Sequence, residues 1–168
     1  MTQEKVLILN TRQIEHKIER IAHQIIEFNY EEAEIAFIGI ATQGFILSEK
    51  LKGYVEANSA IKVNLIKMSM NKKKPLSGEF EFSADKSALN NKSVILVDDV
   101  LNSGRTLIYA AKEVLNYPIM KLTTVVLVDR RHRKFPIKAD FVGLTLSTTI
   151  QEHITVELTK GQEAVYLE

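Results

Sequence analysis

The stretch Ser93–Thr106, SVILVDDVLNSGRT, constrains the fold of this chain more than any other. Val94–Val97 is a continuous apolar run, too short for a helix and β-branched enough for a strand buried on both faces. It gives way to two adjacent carboxylates, Asp98 and Asp99. A small polar loop comes next, and then Leu107, Ala110, Ala111, Val114 and Leu115 recur at helical spacing. A strand with two apolar faces needs a layer of helices on each side. The sequence therefore predicts an α/β fold with a mostly parallel, doubly wound sheet. In open sheets of that kind, ligands sit in the crevice beyond the carboxyl ends of the strands.

The two halves of the loop after Val97 favour opposite charges. The turn Asn102, Ser103, Gly104, Arg105, Thr106 opens a helix, whose N-terminus offers unpaired N–H groups and the positive end of its dipole. Ser103 and Thr106 add hydroxyl donors, Arg105 adds a cation, and Gly104 lets the backbone approach an oxygen closely. Asp98 and Asp99 repel an anion and favour sugar hydroxyls, a hydrated metal ion or a developing positive charge. A phosphorylated sugar satisfies both demands in one molecule. An isolated acid pair at a strand end is ordinarily no more than a cap; strand, acids, hydroxyl-glycine turn and helix together describe a site.

Composition sets the outer bounds. With 168 residues, a single domain spanning 1–168 is expected. Twenty-two basic residues against 21 acidic leave a net charge of +1, so no global field points to a polyanionic partner, and a nucleic-acid role has to rest on local patches. The absence of cysteine excludes disulfides and thiolate metal sites and fits a reducing compartment. No apolar run approaches the ~20 residues of a membrane span, and the first residues carry no secretory pattern. A cytoplasmic protein without a membrane partner is the expectation.

Along the chain, Val6–Leu9 reads as a short strand, with Asn10 or Thr11 able to cap the helix after it. From Thr11 to Phe28, Ile14, Ile18, Ile21, Ile25 and Phe28 mark one face of that helix, with His16, His23, Arg12 and Arg20 on a solvated face. Ile35–Ile40 reads as a second buried strand that runs into Ala41, Thr42, Gln43, Gly44 and another helix. Gly39–Gly44 fits the glycine spacing of a P-loop, but Phe45 and Ile46 stand where Lys and Ser/Thr are required, which excludes that nucleotide site. What remains is a second turn able to offer backbone N–H groups to an anion.

Ile61–Met68 alternates like a strand, and Phe80 and Phe82 like the return arm of a hairpin. The polar, lysine-rich excursion between them (MNKKKPLSG) reads as a mobile flap over a site. Leu122–Val128 is another buried strand, and it ends in Asp129, Arg130, Arg131, His132, Arg133 and Lys134, the strongest positive cluster in the chain. Short apolar pieces at Phe141–Leu146, Ile154–Leu158 and Ala164–Leu167 suggest an appended edge or flap.

The run VILVDDVLNSGRT resembles the ribose-phosphate signature of type I phosphoribosyltransferases. RIAHQIIE (Arg20–Glu27), IGIATQG (Ile38–Gly44) and VVLVDRRHRKFPIKADFVG (Val125–Gly143) resemble successive segments of the pyrimidine operon attenuator / uracil phosphoribosyltransferase family. The resemblance covers most of the chain and fails mainly between Ile66 and Lys86. It implies that Asp98 and Asp99 are the catalytic acids, holding the ribose hydroxyls and Mg²⁺ directly or through water. It implies that Asn102–Thr106 cradle the 5′-phosphate, that Ala41–Gly44 form the pyrophosphate loop, and that Asp129, Arg130 and Arg131 border the base pocket. Phosphoribosyl pyrophosphate and a nucleobase, most simply uracil, would be the substrates. An mRNA and a second copy of the chain, as a homodimer or higher homo-oligomer, would be the macromolecular partners.

The departures from the pattern are informative. Enzymes for 6-oxopurines resemble this loop but carry Asp where Asn102 stands, Lys where Asp129 stands and an acid where Thr148 stands; all three differences favour a pyrimidine, or a non-purine ligand, over guanine or hypoxanthine. Relatives in the attenuator family carry Arg at the place of Gln43 and a Tyr-Arg-Asp stretch where this flap reads Met68-Ser69-Met70-Asn71-Lys72-Lys73-Lys74. Lysines restore charge there as flexible point charges rather than as a planar fork. Three readings are open: a phosphoribosyltransferase, a nucleotide-sensing RNA-binding regulator of pyrimidine genes, and a relative that binds the sugar phosphate without turning it over.

Overall fold

The computed structural model describes residues 4–76, 78 and 80–168. In chain order the elements are β1 (Val6–Leu9), α1 (Thr11–Phe28), β2 (Glu34–Ile40), α2 (Gln43–Asn58), β3 (Lys62–Ser69), β4 (Glu81–Phe82), β5 (Ser93–Leu101), α3 (Arg105–Val114), β6 (Lys121–Asp129), β7 (Phe141–Thr145), β8 (Ile154–Glu157) and β9 (Ala164–Leu167). Six strands form the main sheet in the order β4-β3-β2-β5-β6-β7. β3, β2, β5, β6 and β7 run parallel, and only β4 is antiparallel, returning along β3 as Phe80 and Phe82 led one to expect. No helix among the described residues is long and apolar enough to cross a membrane.

The helices divide between the two faces as the apolar strands demand. Ile35 and Phe37 of β2 and Ile95 and Val97 of β5 pack with Ile14, Ile18, Ile21 and Ile25 of α1 and Leu47, Leu51 and Val55 of α2. Ala36, Ile38, Val94 and Leu96 face the other way, onto Leu107, Ala110 and Val114 of α3. Removing each of the Val, Leu, Ile and Phe side chains among these from water contributes about 1.5–3 kcal/mol. α1 begins where the sequence says it should. Asn10 accepts the Gln13 N–H at 2.9 Å and the Gln13 side chain accepts the Asn10 N–H at 2.9 Å, a reciprocal cap.

β1 lies outside the parallel sheet: it pairs antiparallel with β9, and β9 with β8, as a separate three-stranded sheet. Of the three apolar pieces in the tail, Phe141–Thr145 extends the main sheet beside β6, and only the last two build the appended layer. The central strand also runs beyond Val97, through both acids to Leu101. It does so because β6 continues to pair with it as far as Leu101 opposite Asp129, whereas β2 stops pairing at Gly39 opposite Val97. From Asp98 onward β5 therefore has a strand neighbour on one side and an open edge on the other. That edge faces the loop between β2 and α2, at the point where the connection after β2 crosses one face of the sheet and the connection after β5 crosses the other.

Candidate active site

The open edge of β5 holds the acid pair. The Asp98 side chain is 4% exposed and Asp99 is half-buried. Asp98 Oδ1 accepts the backbone N–H of Asp99 at 3.0 Å and an N–H of the Lys72 ammonium at 3.3 Å. Burial, and then the adjacent Asp99 charge, push the Asp98 carboxyl well above the usual carboxylate range, with Lys72 opposing the shift. A buried acid beside a second acid, with one ammonium against it, is a place built to receive positive charge.

The two turns expected to receive anions converge on this pair. Gly44, in the first turn of α2, lies so close to β5 that a Cβ there would stand 2.8 Å from the Val97 carbonyl oxygen and 3.0 Å from Asp98 Oδ1. Only a residue without a side chain lets the helix N-terminus approach the acids. The Ala41–Thr42 peptide is cis, and Thr42 gives α2 no side-chain cap, so the helix presents its first N–H groups uncapped by that side chain. On the other side Gly104 adopts φ +86° just before α3, and the Ser103 hydroxyl accepts the Arg105 N–H at 3.3 Å. A small cavity of about 40 Å³ lies between Asp98, Val100 and the loop 101–107. Lys134 and Phe135 donate their N–H groups to the Ser103 carbonyl at 2.8 and 3.0 Å, holding that loop from outside.

Gln43 belongs to the first turn by position but not by direction. Its Oε1 accepts the Leu158 N–H at 3.0 Å, tying the turn to the end of β8. The loop 41–44 therefore brings backbone groups, and no cation, to the acids.

The segment after β6 does not act as one unit. Asp129 accepts the Arg131 N–H at 2.9 Å and Arg133 Nη2 at 2.7 Å. Its burial opposes ionisation, but these bonds and the charges of Arg133 and Arg131 together hold its carboxyl below the usual range. Arg130 turns elsewhere: it is buried, donating from Nε to Thr148 Oγ1 at 2.6 Å and from Nη2 to the Thr149 carbonyl at 2.9 Å. A cavity of about 710 Å³ is lined by Asp129, Arg131, Arg133 and residues 135–139, and Arg130 is not among its walls. Arg131 sits at φ +61°, a left-handed backbone that few residues with a side chain adopt.

Sequence reasoning missed Arg133 as the partner of Asp129, although the i, i+4 spacing of opposite charges was there to be read. It also missed Lys72 on Asp98 and the outward turn of Gln43, for which the local sequence holds no signal. His16 and His23 are exposed on α1, as expected. Ser77 and Glu79 of the expected flap lie outside the described residues.

No three acids or histidines among the described residues come together as a metal site. Two neighbouring carboxylates fit a Mg²⁺ that arrives with phosphate oxygens and keeps several waters, rather than an ion caged by protein alone. The position of the Lys72 ammonium supports that fit, since it shows a cation accommodated against Asp98.

A doubly wound sheet whose central strand carries paired acids between two helix N-terminal turns is the frame of a sugar-phosphate-binding class of protein. A family model described as the phosphoribosyl transferase domain matches residues 7–160. The chain belongs to that family and, within it, stands with the proteins named bifunctional protein PyrR. The relative from Deinococcus radiodurans is 35% identical over 179 residues, covering 99% of this chain and 96% of its own. That from Pelotomaculum thermopropionicum is 33% identical over 181 residues, covering 99% and 97%. Among solved structures, a hypoxanthine phosphoribosyltransferase from Staphylococcus aureus superposes with a TM-score of 0.77 at 19% identity, covering 95% of this chain and 90% of its own. The hypoxanthine phosphoribosyltransferase of Trypanosoma cruzi gives 0.76 at 16% identity, covering 96% and 94%. At those identities the likeness is one of fold.

Proposed function

We propose that this chain transfers the phosphoribosyl group of phosphoribosyl pyrophosphate to a pyrimidine base, uracil, with release of pyrophosphate. The observation that carries the reading is the run of β5 beyond β2, which sets Asp98 and Asp99 in an open edge between the two turns expected to receive anions. The 5′-phosphate docks on the N–H and hydroxyl groups of Asn102–Thr106, and the pyrophosphate on those of Ala41–Gly44. The ribose hydroxyls then lie against the acids. A ring nitrogen of the base forms its bond to the anomeric carbon as the bond from that carbon to the pyrophosphate oxygen breaks, and the nitrogen's proton leaves to solvent. Positive charge that builds on the ribose is stabilised by Asp98 and Asp99, which are already oriented and need no reorganisation. Mg²⁺, when bound with the substrate, would neutralise charge on the leaving pyrophosphate. In the free chain the flap sets Lys72 against Asp98, and its closure over bound substrate would keep water from the sugar.

Asp129 supports a pyrimidine over a 6-oxopurine. Its carboxylate is held ionised by Arg133, so the position presents an acceptor where a purine oxygen would need a donor. The test is pyrophosphate release from phosphoribosyl pyrophosphate with Mg²⁺ and a panel of bases. Uracil is expected to give the highest kcat/KM, and Asp99→Asn to lower it by about 10²-fold or more. Preference for hypoxanthine or guanine would overturn the base assignment, and no release with any base would overturn the transfer reading.

A second reading stands beside the first, since the relatives are named bifunctional and a positive cluster follows β6: binding of an RNA. Of the cations in 130–134, Arg130 and Arg133 are committed to internal partners, whereas Arg131 and Lys134 are exposed. If these side chains meet phosphates, affinity for pyrimidine-gene leader RNA falls steeply with salt, and Arg131→Ala lowers both the affinity and the slope. Salt-independent or absent binding defeats it.

A further inference from the structure

The flap of this chain does more than hang over the site. Asn71 Oδ1 accepts the N–H groups of Lys73 and Lys74, each at 3.1 Å, a local turn around Lys72. Lys72 reaches Asp98 at 3.3 Å, with its own side chain 40% exposed and that of Asp98 only 4%. The same Asp98 oxygen accepts the Asp99 N–H and stands 3.0 Å from where a Cβ on Gly44 would be. The ammonium is therefore placed where flap, central strand and pyrophosphate turn meet. Gln43, the side chain of that turn best placed to bring a polar group inward, is held outward by Leu158.

We propose that Lys72 is a positioning residue that competes with the incoming substrate for Asp98. In the free chain its ammonium serves as the counter-ion of the acid pair and tethers the flap over the site. Binding of pyrophosphate with a divalent cation displaces it, so loading the site starts with the flap being lifted from the acids. This inference rests on the phosphoribosyl reading for the identity of the competitor, but the tether itself does not.

The experiment compares the wild type with Lys72→Met and Lys72→Arg in the full chain. First, amide exchange of residues 69–74 is followed without ligand. Loss of a half-exposed ion pair is expected to speed exchange in the methionine variant by about two- to five-fold, while the arginine variant stays near wild type. Second, Mg²⁺ with inorganic pyrophosphate, and then Mg²⁺ with phosphoribosyl pyrophosphate, are titrated calorimetrically. The methionine variant is expected to bind each more tightly by about the same factor. Unchanged exchange in the methionine variant overturns the tether, and unchanged or weaker binding overturns the competition. Failure of the wild type and both variants to bind phosphoribosyl pyrophosphate sinks the functional reading and the competition together. In that case a faster-exchanging flap in the methionine variant would still establish the tether.

Discussion

Replacing Asp98 by asparagine should stabilise the ligand-free protein while it abolishes turnover. Asp98 is a nearly buried carboxylate with a second acid beside it and a single half-exposed ammonium against one of its oxygens. Taking such a group out of water costs several kcal/mol, and a partner that remains partly solvated returns only a fraction of that. Asparagine has the same shape, and its Oδ1 can accept both the Asp99 N–H and the Lys72 N–H that the aspartate accepts. Replacing a buried ion pair by neutral groups is commonly neutral or stabilising by about 1–4 kcal/mol. Because Lys72 is left behind but can rehydrate, about 1–2 kcal/mol is expected here, or about 2–8 °C in Tm for a chain of this size.

The sign with pH comes from the raised carboxyl. Its contribution to stability is present below the unfolded value and is lost as pH rises through the higher folded value. The asparagine variant lacks that loss, so its advantage should be small below the unfolded value and grow as pH rises through the higher folded one. Thermal unfolding at several pH values, with and without Mg²⁺ and phosphoribosyl pyrophosphate, reads both effects. Ligand should stabilise the wild type and leave the variant little changed. A variant less stable than wild type above that folded value, or equally stabilised by ligand, would refute the view that the acids are held in readiness for positive charge.

Gly104→Ala should cost about 1–2 kcal/mol for the left-handed backbone alone, with more from the Ile137 methyl 2.8 Å from the new Cβ, and should raise KM for phosphoribosyl pyrophosphate; denaturant titration and initial rates check both. Arg130→Ala removes two hydrogen bonds to Thr148 and Thr149, each worth about 1.5–3 kcal/mol to a charged donor, and is expected to destabilise the protein without altering RNA affinity, which a melt and a binding titration distinguish. Asp129, held below the usual carboxylate range, stabilises the fold above its unfolded value, and that contribution disappears as pH falls through its folded value; in Arg133→Ala the loss on acidification should begin at higher pH, seen as a shift in the acid-unfolding midpoint.

Much of this architecture is legible in the chain. The isoleucine spacing of α1 gave both of its ends, because an amphipathic period and a capping residue are local signals. The turn Asn102–Thr106 and the acids before it were legible for the same reason: strand, glycine and helix succeed one another without interruption. What escaped depends on contacts between distant residues. Lys72 meets an acid 26 positions away, and Gln43 a backbone N–H 115 positions away. The length of β5 was hidden because it is set by the reach of β6, not by the composition of Val94–Leu101. Val6–Leu9 read only as a short strand, and the far end of the chain decides that it pairs with β9.

The bond from Gln43 to Leu158 gives the small sheet of β1, β9 and β8 a role in the reaction it never touches. Residues early and late in the described chain are stitched into that sheet, Lys5 to Glu168 and Val6 to Leu167, and the sheet in turn grips the first turn of α2. Trimming or tagging the last residues should therefore be felt in how the leaving group is handled, even though the sugar sits elsewhere. An engineer seeking a harmless attachment point on this enzyme would do better on the exposed surface of α1.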